Sequence, residues 1–233
     1  MKVLLVPQRP TRRPTVKARR PYVPRVLDTL IQADLTSAGA VVIEGPKACG
    51  KTETARQHAA SEIRLDVDET ATELVRISPQ LVLDGATPRL LDEWQIEPRI
   101  WNVVRRAVDD RQETGQFLLT GSATPQPDAR RHSGAGRMAR VRMRPMSLWE
   151  SGESTGDVSL AGLFDGTPAQ GRTEVALPDY ADLIVRGGWP ELVVKKAARP
   201  ERFVRSYIEN VIEHAIPATM GTRYDPFRLQ RFL

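Results

Sequence analysis

The sequence predicts an α/β fold in which a parallel sheet is covered on both faces by helices. Three observations carry this expectation. Short β-branched runs alternate with segments of helical periodicity, a glycine-rich octapeptide joins one such run to a helix, and an Asp-Glu pair ends another run. With 233 residues, the chain has length for one good core, or one core and a smaller second lobe.

From the N-terminus, Pro7, Pro10, Pro14 and Pro21 leave no room for a helix, so residues 1–21 read as a disordered tail. Val26, Leu27, Leu30, Ile31 and Leu35 then recur at helical spacing. Ala40 to Glu44 is the kind of run buried in a parallel sheet, and it leads directly into GPKACGKT and a helix over ETARQHAASE. Further strands are expected at Glu62 to Val67, at a run ending in Leu90-Leu91-Asp92, at Phe117 to Thr120 and at Ala139 to Met143. Between the third and fourth, PRIWNVVRRAVDDRQ sets Ile100, Val103, Val104 and Ala107 on one helical face. Arg140, Arg142 and Arg144 alternate along the last strand and so share one solvated or interface face.

Beyond Pro145 the character changes. Ser151 to Gly171 is rich in Gly, Ser, Thr and Asp and reads as a loop, whereas Leu177 to Ile184, RGGWPE and Arg202 to Ile216 predict a small helical lid lobe. The expected organisation is a basic tail (1–21), an α/β core (22–147), and a loop with the helical lobe (148–233). Asp225-Pro226 opens an amphipathic segment with Phe227, Leu229, Phe232 and Leu233 that stops at once, so a truncated longer protein is expected.

Composition narrows the class. No apolar run approaches the length of a membrane span. The Val3 to Val6 run is too short for a secretory signal and is followed by Pro7, Arg9 and Pro10. Cys49 is the single cysteine and has no intrachain partner, which points to a reducing, cytoplasmic compartment. His58, His132 and His214 are widely separated, so no zinc site is indicated. Eight of the 34 Lys/Arg lie between Met1 and Leu27, where no acidic residue occurs; the remainder, with 29 Asp/Glu, is slightly acidic. The net charge of +5 therefore describes a tail, either a solvated leader or a phosphate-neutralising contact with nucleic acid.

The chemistry is concentrated in two places. Gly45, Pro46, Lys47, Ala48, Cys49, Gly50, Lys51 and Thr52 satisfy G-x-x-x-x-G-K-[ST]. Glycines let such a loop curl until successive N–H groups face one anion, and the following helix aims its positive end there. Lys51 is then placed to reach the β- and γ-phosphates, and the Thr52 hydroxyl to ligate Mg²⁺. Asp92-Glu93 closes a strand at the edge where a parallel sheet presents its site. There Asp92 can hold the metal, directly or through water, while Glu93 can orient and deprotonate the attacking water.

Thr120 and Ser122, at the end of the next strand, either hold that water or sense the γ-phosphate, or simply form a turn. Arg137 is a candidate arginine finger for a neighbouring copy, with a plain surface role as its alternative. Cys49 is a candidate reactive thiol at a helix N-terminus, or merely a small residue tolerated in the loop.

In order, YVPRVLD, GPKACGKT, LLDEWQ, FLLTGSA, GRMARVRMRPMSLWE, RGGWPE and YIENVIEHAIP resemble the AAA-like P-loop ATPases of bacteria and archaea that carry a C-terminal domain of unknown function. The resemblance covers nearly the whole chain from Tyr22. It implies an ASCE-type sheet with the DE strand and the Thr120 strand beside the P-loop strand. It also implies a winged-helix segment and a restriction-nuclease-like domain beyond Leu233. His214-Ala215 depart from that family's acidic pattern near this point, so its interdomain role is not carried over. RGGWPE is similar to the Gly-Gly-x-Pro element of related signal-transducing ATPases, which implies Arg186 as a sensor candidate.

The expected function is ATP binding and Mg²⁺-dependent hydrolysis that drives a conformational change. A homo-oligomer is a candidate state, and DNA a candidate partner of the tail or of the C-terminal domain. The other classes are a nucleotide-gated DNA- or protein-binding switch with little turnover, and a kinase. The Asp92-Glu93 pair favours water activation over both, and no N-K-x-D element supports guanine selection.

Overall fold

The structure is a computed structural model that describes residues 22–121, 133–195 and 199–215. The basic tail, Ser122, His132 and the segment around Asp225 lie outside the described residues. Strands β1 (Ala40–Glu44), β2 (Ser61–Arg64), β3 (Arg89–Asp92), β4 (Phe117–Gly121) and β5 (Met138–Arg142) form one parallel sheet in the order β2-β3-β4-β1-β5. This is the order expected of an ASCE-type sheet: β4, which carries Thr120, lies between the P-loop strand and the Asp92 strand.

The reason lies in the return path after β3. Helix α5 (Ile100–Arg111) ends at Gln112 in the left-handed region, φ 51°. Gly115 and Gln116 then donate to the carbonyls of Ala38 and Gly39, both at 2.9 Å, and this steers β4 into the slot beside β1.

Side chains alternate across the sheet, and each face has its own cover. Val41 and Ile43 of β1 point to helices α1 (Leu27–Ser37) and α2 (Lys51–His58), meeting Ile31, Leu35 and Ala55. Ala40 and Val42 point the other way, to Trp101 and Val104 of α5 and to α3 (Glu69–Ile77) and α4 (Pro79–Val82). Neither α3 nor α4 was expected. The signal for α3 is nonetheless present: Asp68 caps it by accepting from the Ala71 N–H at 3.0 Å, and Ala71 and Val75 bury one face. The second strand is shorter than expected because the chain turns after Arg64, where Asp68 N–H bonds back to the Arg64 carbonyl at 3.1 Å.

After the sheet, the expected loop contains one short helix, α6 (Leu160–Phe164), capped by Ser159. The lobe consists of α7 (Leu177–Arg186), α8 (Pro190–Lys195) and α9 (Pro200–Asn210), the last running into a π-helical turn, Val211–Ala215. Among the described residues no helix is long and apolar enough to cross a membrane.

Candidate nucleotide site

Gly45 follows β1 so closely beside Met143 that a Cβ there would lie 2.3 Å from the Met143 carbonyl oxygen, so only glycine fits. Gly50 caps α2 with φ 102°, and Ala48 also lies in the left-handed region at φ 64°. Lys51 is buried, and its Nζ donates to the carbonyls of Gly45 (3.0 Å) and Pro46 (2.9 Å). Its ammonium is thus held over the loop, in line with the N-terminus of α2. Cys49 is fully buried in the core beneath the loop, and burial pushes its thiol pKa up, so it is a packing residue and not a reactive thiol.

Three parts of the chain converge on Asp92. Thr52 Oγ1 donates to its Oδ1 at 2.8 Å, and Thr120 Oγ1 donates to the same oxygen from β4. The strand register sets Thr120 level with both Ile43 and Asp92, which brings β1, β4 and β3 to one edge. Burial pushes the Asp92 carboxyl pKa up; the two hydroxyl bonds oppose this, and the charges of Glu93 and Glu62 add to it. Glu93 leaves the strand in a left-handed conformation, φ 54° and ψ 44°, and lines the cleft in front of the P-loop. Gln95 Nε2 donates to Glu93 Oε2.

The cleft encloses about 280 Å³, near the lower end of the range for small-molecule sites. Beyond Lys51 and Thr52, its walls are Tyr22, Val23 and Arg25 on one side and Met146, Pro190 and Val194 on the other. The helical lobe is seated there by a close backbone crossing. Met146 N–H donates to the Gly188 carbonyl at 2.6 Å, and a Cβ on Gly188 would lie 2.0 Å from the Met146 carbonyl oxygen. Trp189 stacks on Tyr207 with ring centres 4.4 Å apart, and the Tyr207 hydroxyl donates to the Lys47 carbonyl at 3.2 Å.

Arg25 escaped the reading of the sequence. Its guanidinium donates to the P-loop carbonyl of Cys49 (2.9 Å), to the Arg144 carbonyl (2.8 Å) and to Glu150 (2.9 Å). Glu150 also accepts from the backbone N–H groups of Val26 and Ser147. No local pattern announces bonds between residues 119 and 125 positions apart. Tyr22, whose hydroxyl bonds to Asp28 and Thr54, was missed for the same reason.

Not every expected site residue joins the cluster. Ser122 lies outside the described residues. Arg137 precedes β5, at the opposite end of the strands from the P-loop, where its guanidinium pairs with Asp109. Arg186 bonds to Glu153 at 2.7 Å and so anchors the lobe to the turn after Ser151; it does not line the cleft. Arg140, Arg142 and Arg144 share an exposed face, and the first two lie on the edge strand.

A parallel sheet in this order, with a glycine-rich loop between β1 and α2 and a buried carboxylate ending β3, is the fold of AAA-like P-loop nucleotide-binding proteins. A family model described as AAA domain matches residues 37–151. Two uncharacterized mycobacterial proteins, from Mycobacterium bovis and Mycobacterium tuberculosis, are each 30% identical over 127 residues. The match covers 53% of this chain and 29% of theirs, so the chain spans under a third of their length. Among solved structures, PCH-2 of C. elegans is similar at 14% identity and a TM-score of 0.38, covering 81% of this chain and 66% of that one.

Proposed function

We propose that this chain binds MgATP in the cleft and hydrolyses it, and that α8 and α9 shift against the core as the nucleotide changes. The observation that supports this reading best is Asp92, a buried carboxylate that receives Thr52 from the P-loop and Thr120 from β4. The donor set suits a hard divalent cation, because every donor is oxygen. Among the described residues no cluster of three or more His, Cys, Asp or Glu is arranged for a metal. In this reading the ion is held by Thr52 and Asp92 together with substrate phosphates and water. When bound, Mg²⁺ would neutralise negative charge on the phosphates.

In this reading the chain's own groups divide the work. The N–H groups from Pro46-flanked Lys47 to Thr52 surround the phosphates, and Lys51 exchanges its bonds to Gly45 and Pro46 for phosphate oxygens. Thr120 fixes Asp92, and Glu93 orients the attacking water and accepts its proton. Tyr22, Val23, Met146, Pro190 and Val194 offer an apolar slot that fits a flat base. Because Tyr207 touches the P-loop carbonyl of Lys47, a loop rearranged by nucleotide is felt in α9. Arg137 acts on a site only if a second copy brings it there, since it stands away from its own P-loop.

Saturation at about 100 times Kd adds roughly 2.7 kcal/mol of stability. For a chain of this size, that raises Tm by about 5–10 °C. Lys51→Ala should abolish the shift, whereas Glu93→Gln should keep it and lose phosphate release. An equal shift in Lys51→Ala, or undiminished phosphate release in Glu93→Gln, would refute the reading.

A further inference from the structure

The Gln95 amide occupies a position that packing alone does not explain. A carboxylate only accepts hydrogen bonds, so the amide NH₂ must face Glu93, as it does. The other end, Oε1, is thereby turned into the protein, where it is buried and finds no donor among the described residues. A buried acceptor without a donor destabilises the fold, so the contact with Glu93 is maintained against a cost.

The surroundings enforce the position from two sides. Trp94, only 1% exposed, packs at a 37° tilt against Trp101 with ring centres 5.0 Å apart and fixes the short 3₁₀ turn, Trp94–Ile96, that carries Gln95. Across from it, Gly121 at the end of β4 lacks the Cβ that would stand 2.5 Å from Gln95 Oε1 and 3.2 Å from Trp94 Nε1. Gly121 is an ordinary member of the strand, paired with Glu44, and has no positive φ to require glycine. The missing side chain is needed for space.

We infer that Gln95 is a positioning residue that sets the Glu93 carboxylate, and that Gly121 is the gap which seats it. Glu93 leaves β3 in a left-handed conformation, so its carboxylate does not follow the side-chain alternation of the strand. The Gln95 amide, carried on the next turn, reaches that carboxylate directly. This inference rests on Glu93 acting on the attacking water, as proposed above.

The test is steady-state and single-turnover hydrolysis of MgATP by the full chain. Gln95→Ala should lower kcat at least tenfold while leaving KM and the MgATP-induced rise in Tm unchanged. Gly121→Ala, which pushes the amide aside without straining the strand, should reproduce that loss. Gln95→Glu keeps the shape but sets carboxylate against carboxylate, and should fall at least as low. In a Glu93→Gln background, Gln95→Ala should cost nothing further, because the group it positions is already gone.

A wild-type kcat in Gln95→Ala overturns the inference and leaves the hydrolysis reading standing if Glu93→Gln is inactive. An equal further loss in the Glu93→Gln background also overturns it, by showing a general structural role. Undiminished turnover in Glu93→Gln removes the hydrolysis reading, and this inference with it.

Discussion

At Asp92 a carboxylate 4% exposed lies between two threonine hydroxyls, with Glu93 and Glu62 adding negative charge nearby. Its pKa is raised above the ordinary 3.8, chiefly by burial, so ionising it costs the folded state. Its effect is absent at low pH, where both folded and unfolded forms are protonated. It becomes a destabilisation as pH rises from about 3.8 through the raised folded value. Asp92→Asn should therefore raise the Tm of the nucleotide-free protein at pH 7 by about 2–4 °C, equivalent to roughly 1 kcal/mol. The gain should shrink toward pH 4, and the variant should lose the Mg²⁺-dependent part of ATP binding. Thermal melts across pH, with and without MgATP, test this; a lower Tm at pH 7 would refute it. That Lys51 and Thr52 start a helix beside the strand ending in Asp92 was legible in the sequence, because motif spacing encodes that geometry. Gln95 and Gly121 were not, since their meeting depends on where β4 enters the sheet.

Elements depend on fasteners that no periodicity reveals. The Arg25–Glu150 pair, with side chains 5% and 6% exposed, ties the start of α1 to the segment after β5 and reaches the P-loop carbonyl of Cys49. Breaking a buried pair by removing one partner costs about 3–5 kcal/mol. Arg25→Ala should lower Tm and weaken MgATP binding together, because the support under the loop goes with the pair. Glu150 has its pKa held below the ordinary 4.5; burial raises it, but the N–H groups of Ser147 and Val26 and the Arg25 guanidinium outweigh that. Its stabilisation is present above pH 4.5 and lost as pH falls through the lower folded value. Melts of Glu150→Gln should start lower at pH 7 and lose less on acidification than the wild type; parallel losses would refute this assignment. The strands and α5 were legible because burial dictates their apolar patterns. The helix α3 was overlooked despite a sound cap at Asp68, and the slot taken by β4 is set by backbone bonds from Gly115 and Gln116 that side-chain patterns do not encode.

For the molecule as a whole, the strands' common direction separates two ends. The P-loop, Asp92 and the cleft occupy one, and Arg137 with Asp109 the other. A finger at Arg137 thus serves only a neighbour. If it does, the specific rate of hydrolysis should rise with protein concentration, and Arg137→Ala should lower the rate at high concentration to the dilute value. A concentration-independent wild-type rate would exclude the finger. The cleft has a further consequence. Its P-loop floor lies within residues 37–151, the segment that matches the AAA domain family, whereas Tyr22, Val23, Arg25, Pro190 and Val194 lie outside it. If the cleft takes a nucleotide as proposed, base preference and the grip of the lobe can be retuned in the flanks alone. On that reading, GPKACGKT and its Asp92 partner could stay unchanged while the flanks adapt the same core to different ends.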